Sequence, residues 1–107
     1  MEVYSLIKMG LDASNLRSQT ISQNIANINT PNYKAKSVKF EETLKKNSKT
    51  GPSITLEESS GTTVRSDGNN VDLEVEKINQ ASNSLQYNAL ITLVNAKLSL
   101  AKGVING

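Results

Sequence analysis

The first third of the chain repeats apolar and small residues with the spacing of an α-helix. These residues recur three or four positions apart and would lie along one side of a helix: Tyr4, Ile7, Leu11, Ser14, Ser18, Ile21, Ile25 and Ile28. The pattern predicts a helix from about Glu2 to Asn27. Because Ser14 and Ser18 are small, a second helix could approach closely at the middle of this stripe.

A turn is expected directly after this helix. Pro31 disfavours the α conformation at Thr30 and has no backbone N–H to donate. Residues Thr30 to Tyr33 have the chemistry of a β-turn, because proline presets φ at the first central position and Asn32 tolerates a positive φ at the second. The chain should change direction sharply here.

Residues 30–70 form an irregular middle segment interrupted by glycine, proline, serine and threonine. Within it the sequence predicts a short helix over 38–46 and two short extended pieces at 54–56 and 62–64. Six lysines fall in this segment: Lys34, Lys36, Lys39, Lys45, Lys46 and Lys49. They could contact an acidic partner or nucleic acid, but Glu41 and Glu42 interrupt them, which favours a solvated loop.

A second long helix is predicted from about Leu73 to Lys102. Residues 67–70 read Asp-Gly-Asn-Asn, a strong turn signal, and Asp72 can cap the helix that follows. Glu74 and Glu76 in the first turn favour the positive end of the helix dipole. The chain therefore divides into an N-terminal helix (1–29), a turn with the middle segment (30–70) and a C-terminal helix (71–107), together forming one structural domain.

The C-terminal helix has more apolar surface than one partner helix can cover. In its first half the stripe consists of Val75, Ile78, Ser82, Leu85 and Ala89. In its second half apolar residues spread round much of the circumference: Leu90, Ile91, Leu93, Val94, Leu98, Leu100, Ala101, Val104 and Ile105. The middle segment has few large apolar residues to cover them, so other subunits are expected to do so.

Composition excludes most site chemistry. The 107 residues include no cysteine and no histidine, which removes disulfides, thiol nucleophiles and the usual zinc ligands. No cofactor, metal site or enzymatic activity is expected. The net charge of +2 is too balanced for a dedicated nucleic-acid binder. The sequence shows neither a cleavable signal peptide nor an apolar run long enough to span a membrane.

Two motifs carry a resemblance to a known family. Residues 24–34, Asn-Ile-Ala-Asn-Ile-Asn-Thr-Pro-Asn-Tyr-Lys, resemble the signature NIANxxTPGYK of flagellar rod, hook and hook-associated proteins, with Asn32 where the family usually has glycine. Residues 67–74 and 84–90 look like the C-terminal half of one proximal rod subunit in particular. The signature positions are Asn24, Ala26, Asn27, Thr30, Pro31 and Tyr33, then Asp67, Gly68, Asn69, Val71 and Asp72.

The resemblance implies a mainly α fold in which the two terminal helices pair as an antiparallel coiled coil. It also implies a structural subunit of the proximal flagellar rod, exported without a cleaved signal and assembled in the periplasm. The implied partners are further copies of the chain, the rod proteins FlgC, FlgF and FlgG, the ring-to-rod adaptor FliE and the flagellar type III export apparatus. Nucleic acid and direct membrane insertion are not expected.

The resemblance further suggests which side chains make the helix pair and the subunit contacts. On the first helix these are Ile7, Leu11, Ile21, Ile25 and Ile28. On the second they are Leu85, Leu90, Ile91, Val94, Leu98, Ala101 and Ile105.

Three alternatives remain open. Another rod subunit such as FlgC would share the first motif and usually differs around the second. A small secreted helical-hairpin adaptor has a similar size, although the absence of tryptophan argues against the tryptophan-glycine hairpin family. A small nucleic-acid-binding protein is disfavoured by the charge balance, and salt-sensitive binding to DNA would revive it.

Overall fold

The computed structural model describes residues 3–40, 53–59 and 65–106. Its elements are helix α1 (Val3–Ala26), strand β1 (Lys36–Lys39), strand β2 (Thr55–Glu58) and helix α2 (Leu73–Asn106). The two helices are long and the two strands form a short antiparallel sheet between them. The predicted mainly α architecture is therefore confirmed.

Both helices begin where the sequence predicts. Asp72 caps α2, because its Oδ1 accepts hydrogen bonds from the backbone N–H groups of Glu74 at 3.0 Å and Val75 at 3.4 Å. The helix continues to Asn106, past the predicted end at Lys102. At the end of α1 the backbone turns through residues 27–32.

The predicted turn after α1 is present. The Tyr33 N–H donates to the Thr30 carbonyl at 3.2 Å, and Asn32 has a φ of 63°. This is the positive φ expected at the second central position, which asparagine tolerates better than most residues.

The middle segment contains a strand where a helix was predicted. Val38 and Lys39 belong to β1, so a helix starting at Val38 is wrong; residues 41–46 lie outside the described residues. Val38 and Phe40 are both buried, which is the two-residue period of a strand rather than one turn of a helix. The extended piece at 54–56 overlaps β2, with Val38 opposite Leu56. The piece predicted at 62–64 lies outside the described residues.

The hydrophobic core lies between α1 and the sheet. Ala13, Val38 and Phe40 form a buried cluster. Partly buried apolar residues pack against it: Leu6, Met9, Leu16 and Ile54. Both the sheet and α2 therefore pack against α1.

The two helices pair in antiparallel directions. Lys97 lies over the Tyr4 ring, 5.5 Å from its centroid, while Glu76, near the start of α2, contacts Asn24, near the end of α1. Gly10 permits close packing midway, because a Cβ there would lie 3.2 Å from Leu90 Cδ1. The result is a hairpin. Its closed end is where the end of α1 at Ala26 lies near the start of α2 at Leu73, and its open end is where α1 begins and α2 ends.

Within the described ranges, neither helix combines the length and apolar character needed to cross a membrane. The same residues contain no cluster of acidic side chains that could hold a metal ion.

Candidate functional site

The two motifs that carry the resemblance meet at the closed end of the hairpin. The Asn32 N–H donates to the Asp67 carbonyl at 2.8 Å, and the Asn70 N–H donates to the Tyr33 carbonyl at 3.2 Å. We call this junction, between residues 24–36 and residues 65–76, the clasp. It brings together segments that are about forty residues apart in the sequence.

Asn69 lies at the centre of the clasp with 0% of its surface exposed. Its Nδ2 donates to the carbonyls of Asn27 at 2.8 Å, Ile28 at 3.2 Å and Thr30 at 2.8 Å. Its Oδ1 accepts from the Val71 N–H at 2.8 Å. These three carbonyls belong to the turn that follows α1, so a side chain from the second motif holds the backbone where it leaves the helix.

Asn24 makes the second set of contacts in the clasp. Its Oδ1 accepts from the Lys36 N–H at 3.0 Å and the Tyr33 hydroxyl at 3.1 Å. Its Nδ2 donates to the Lys36 carbonyl at 2.9 Å and to Glu76 Oε1 at 3.1 Å. One buried amide therefore joins α1, β1 and α2, because it offers donors and acceptors on the same side chain.

Glu76 is a buried carboxyl group within the clasp. Only 5% of its surface is exposed, and no described residue donates to its Oε2. Burial raises the pKa of the Glu76 carboxyl, the hydrogen bond from Asn24 opposes this rise, and the charge of Asp72 adds to it. Burial also raises the pKa of Tyr33, with the Glu76 charge as the second cause.

A pair of left-handed residues completes the clasp. Gly68 has a φ of 83°, and a Cβ at this position would lie 2.2 Å from Asn32 Oδ1. Only glycine combines this φ with the space beside Asn32. Lys34 donates to the Gly68 carbonyl and Arg65 donates to the Ile28 carbonyl.

Polar side chains also line the helix pair beyond the clasp. Ser14 Oγ donates to Asn83 Oδ1 at 2.8 Å, and Asn83 Nδ2 donates to the Ser14 carbonyl at 3.0 Å. Arg17 donates to Gln86 Oε1 at 3.1 Å and to the Val38 carbonyl at 3.1 Å. The sequence stripe included Ser14 but missed Asn83, since a polar residue in a helix gives no sign of the side chain it will meet.

The predicted interface residues occupy different environments. On α1, Ile7 and Ile21 are buried, whereas Leu11, Ile25 and Ile28 are half-buried. On α2 the set divides into the half-buried Leu90 and Val94 and the exposed Leu85, Ile91, Leu98 and Ala101. The side chain of Ile105 lies outside the described part of the chain.

The outer side of α2 exposes large apolar residues. Ile78 is 67% exposed, Leu85 72% and Leu100 71%. Ala89 and Ala96 are also exposed and lie on the same side by helical spacing. We call these five residues the outer stripe. Ile78 and Leu85 face away from α1, because Glu76 and Asn83 make hydrogen bonds to α1 from the opposite side of α2. Ala89 lies at the edge of the stripe nearest to α1.

An apolar groove lies beside this stripe, toward the open end of the hairpin. Its volume is about 480 Å³. It is lined by Val3, Leu6, Ile7, Gly10, Phe40, Gln86, Ala89, Leu90 and Leu93. Ile7 and Leu90, both predicted interface residues, thus share one surface, whereas Leu85 lies outside it.

Comparison with known proteins places both motifs in one family. A sequence profile described as "Flagella basal body rod protein" matches residues 10–34. The flagellar basal body rod protein FlgB of Bacillus subtilis is 32% identical over 117 residues, which cover 94% of this chain and 91% of that protein.

Other relatives agree over most of the chain. FlgB of Yersinia enterocolitica is 32% identical, over 81% of this chain and 83% of that protein. FlgB of Proteus mirabilis is 28% identical, over 89% of this chain and 87% of that protein. With its two motifs joined in the clasp and its similarity to these relatives over most of its length, this chain belongs to the FlgB family of flagellar basal body rod proteins.

Proposed function

We propose that this chain, a structural subunit of the flagellar basal body rod, assembles at the proximal end of the rod through its two terminal helices and catalyses no reaction. The observation that carries the proposal is the orientation of α2. It directs polar side chains toward α1 and exposes Ile78, Leu85 and Leu100 on the other side. A surface of this kind on a subunit of a larger structure is suited to contacts with neighbours.

The clasp and the exposed surfaces have separate roles in this proposal. The clasp fixes how α1 and α2 leave the turn, because the buried Asn24 and Asn69 tie both helices to the same backbone segments. The exposed apolar residues toward the open end then make contacts between subunits. The family signature therefore serves the shape of the subunit rather than a chemical reaction.

The family also supports a cellular setting. Flagellar basal body rod proteins associate with other basal body components, and we propose that the partners here are further copies of the chain, FlgC, FlgF, FlgG and FliE. Delivery by the flagellar type III export apparatus into the periplasm is part of the same proposal. The chain would cross the membrane through that apparatus.

Deletion of the gene tests the proposed function. We expect cells that cannot swim and whose basal bodies lack rods, with motility restored by a plasmid copy. Normal swimming of the deletion strain would contradict the proposal.

A substitution then tests the role of the second helix. Leu98→Asp places a charge on an exposed apolar position of α2 and should abolish swimming in the same strain. Asn95→Asp, an exposed polar position on α2, is the matched control and should swim. Equal swimming by both variants would mean that this part of α2 makes no essential contact.

A further inference from the structure

The short sheet has two edges, and α1 covers the edge formed by β1. Lys36 directs both its backbone N–H and its carbonyl to the Asn24 side chain, at 3.0 Å and 2.9 Å. Arg17 donates to the carbonyl of Val38 at 3.1 Å. Two side chains of α1 therefore occupy backbone groups that a further strand would need beside β1.

The edge formed by β2 is open. Within the described ranges the sheet contains only β1 and β2, and all four residues of β2 are exposed. The Ser59 N–H donates to the Ala35 carbonyl at 2.7 Å, and hydrogen-bonded pairs alternate along an antiparallel ladder, so the odd-numbered residues of β2 bond to β1. The N–H and carbonyl groups of Leu56 and Glu58 therefore point away from β1.

Leu56 leaves apolar surface at this open edge. It lies opposite Val38, and directly opposed side chains lie on the same face of a sheet. Val38 is buried against α1, whereas Leu56 is 50% exposed. Natural sheets often protect an edge with lysine or proline, and β2 contains neither. The apolar side chain and the outward backbone groups together suit the addition of a strand.

The existing pairing shows which side chains suit a strand beside β2. Lys36 lies opposite Glu58, and Val38 lies opposite Leu56. Opposite charges and apolar pairs across strands stabilise a sheet, whereas like charges directly opposite each other destabilise it. Because Glu57 and Glu58 are both exposed on β2, a suitable strand carries Lys or Arg and an apolar residue. The two carboxylates disfavour nucleic acid and anionic lipid at this edge.

A second copy of this chain offers no such strand among its described residues. Its basic strand, β1, is paired with β2 on one edge and covered by Asn24 and Arg17 on the other. Its β2 carries the same two glutamates, which would bring like charges together. The occupant that fits is therefore a segment of a different protein.

The contact is small and belongs in a larger assembly. The backbone groups of only two residues point outward, whereas a typical protein interface has about ten direct hydrogen bonds. A two-stranded sheet is only marginally stable by itself, and a third strand strengthens it. Other contacts of the same subunit would hold the partner nearby and raise its effective concentration at β2.

We propose that β2 accepts an extended, basic segment of another basal body protein as a third strand of the sheet. This inference rests on the proposed rod function and adds to it a contact outside the two terminal helices. The segment bonds to the outward backbone groups of Leu56 and Glu58. It places an apolar residue opposite Leu56 and Lys or Arg opposite Glu58.

Proline at position 56 tests the backbone contact. Leu56→Pro removes an N–H that faces away from β1, so the hydrogen bonds between β1 and β2 remain, and proline is tolerated on edge strands. Leu56→Val is the matched control, because it keeps the N–H and an apolar side chain. In the deletion strain, Leu56→Pro should fail to restore swimming and Leu56→Val should restore it, while both isolated subunits melt at similar temperatures.

The same strains separate this inference from the proposed function. If the deletion strain does not swim and Leu56→Pro restores swimming as well as Leu56→Val does, the added strand is wrong and the rod function stands. If the deletion strain itself swims, the rod function fails.

Photo-cross-linking identifies the occupant and leaves the backbone of β2 intact, so it decides the matter even if Leu56→Pro does not fold. The photoreactive residue p-benzoyl-phenylalanine would replace Leu56 in one strain and Glu57 in another, and assembled basal bodies would be irradiated. These two side chains lie on opposite faces of the sheet. The exposed Lys8 on α1 is the control position.

A strand beside β2 gives a distinctive pattern of cross-links. Leu56 and Glu57 should link to neighbouring residues of one segment of another protein, that segment should contain Lys or Arg, and Lys8 should not link to it. Links only to a second copy of this chain would overturn the proposal, as would links to unrelated segments or no product from either position of β2.

Discussion

At its closed end the hairpin is held together by buried amide side chains, whereas toward its open end it exposes leucine and isoleucine to solvent. Asn24 and Asn69 make directional hydrogen bonds at fixed distances, and such bonds define one geometry of the backbone. Apolar contact is not directional and accepts any surface of suitable shape. The comparison suggests that the closed end determines the conformation of the subunit, whereas the open end contacts neighbouring subunits.

Substitution of Asn69 should have the largest effect on the closed end. Asn69→Ala removes donors to three carbonyls and the acceptor for Val71 N–H. The three carbonyls keep their bonds from Thr30 N–H, Tyr33 N–H and Arg65. Four hydrogen bonds are nevertheless lost and the Val71 N–H is left without its acceptor, so the free energy of unfolding should fall by about 3 kcal/mol. Urea denaturation followed by circular dichroism measures this, with the exposed Asn88→Ala as control. A loss under about 1 kcal/mol would mean that the clasp does not hold the hairpin closed.

The left-handed pair offers a second test of the clasp. Gly68→Ala should cost about 2 kcal/mol, because its φ of 83° is strained for alanine and the new Cβ would collide with Asn32. In an Asn32→Gly background the collision is absent, so the same substitution should cost less. Thermal melts of the four proteins in this double-mutant cycle give the coupling. If Gly68→Ala lowers the free energy of unfolding equally in both backgrounds, the new Cβ does not collide with Asn32.

Glu76 makes the stability of the closed end depend on pH. Its raised pKa means that the folded state binds a proton more tightly than the unfolded state. The fold therefore loses stability as pH rises from the ordinary glutamate value through the raised one. Glu76→Gln removes this titration and should stabilise the protein by on the order of 1 kcal/mol at neutral pH, and less in acid.

Unfolding measured across this pH range tests the Glu76 prediction. The exposed Glu74→Gln is the matched control, since it removes one carboxylate from the same helix turn. If the free energy of unfolding changes with pH in the same way for wild type and Glu76→Gln, the raised pKa of Glu76 is not the cause of the pH dependence.

The smallest effect is expected at the outer stripe. Leu100→Asp changes a side chain that is largely exposed, so the free energy of unfolding of the single subunit should change by less than about 0.5 kcal/mol. Swimming should nevertheless be lost, because the same charge would be buried between subunits. A large loss of stability in the isolated subunit would show that Leu100 supports the hairpin itself.

The sequence predicted the elements of this fold better than their contacts. Local chemistry is sufficient for the turn at Pro31 and the cap at Asp72, and both are present. The helix predicted from Val38 was wrong, because Val38 and Phe40 are both buried against α1, and side chains two positions apart share one face only in a strand. The hydrogen bonds of Ser14 with Asn83 and of Asn69 with the end of α1 join distant residues, so no local pattern could reveal them.

The same limit applies to the candidate surfaces. Apolar spacing showed that α2 has more apolar area than one helix can cover, yet not which side would face α1. Hydrogen bonding determines which side of α2 faces α1, since Glu76, Asn83 and Gln86 all form hydrogen bonds with residues of α1. Leu85 was therefore grouped with Leu90 in the sequence, whereas the fold separates the two.

Contacts along the helix pair hold α2 against α1 from Asn83 to Lys97. The nine residues 98–106 continue α2 for roughly 14 Å beyond Lys97, and Leu98 and Leu100 are exposed there. A rotation of about 5° at Lys97 would displace the far end of this section by only about 1 Å. The paired part of the hairpin therefore presents these two leucines in a nearly fixed position.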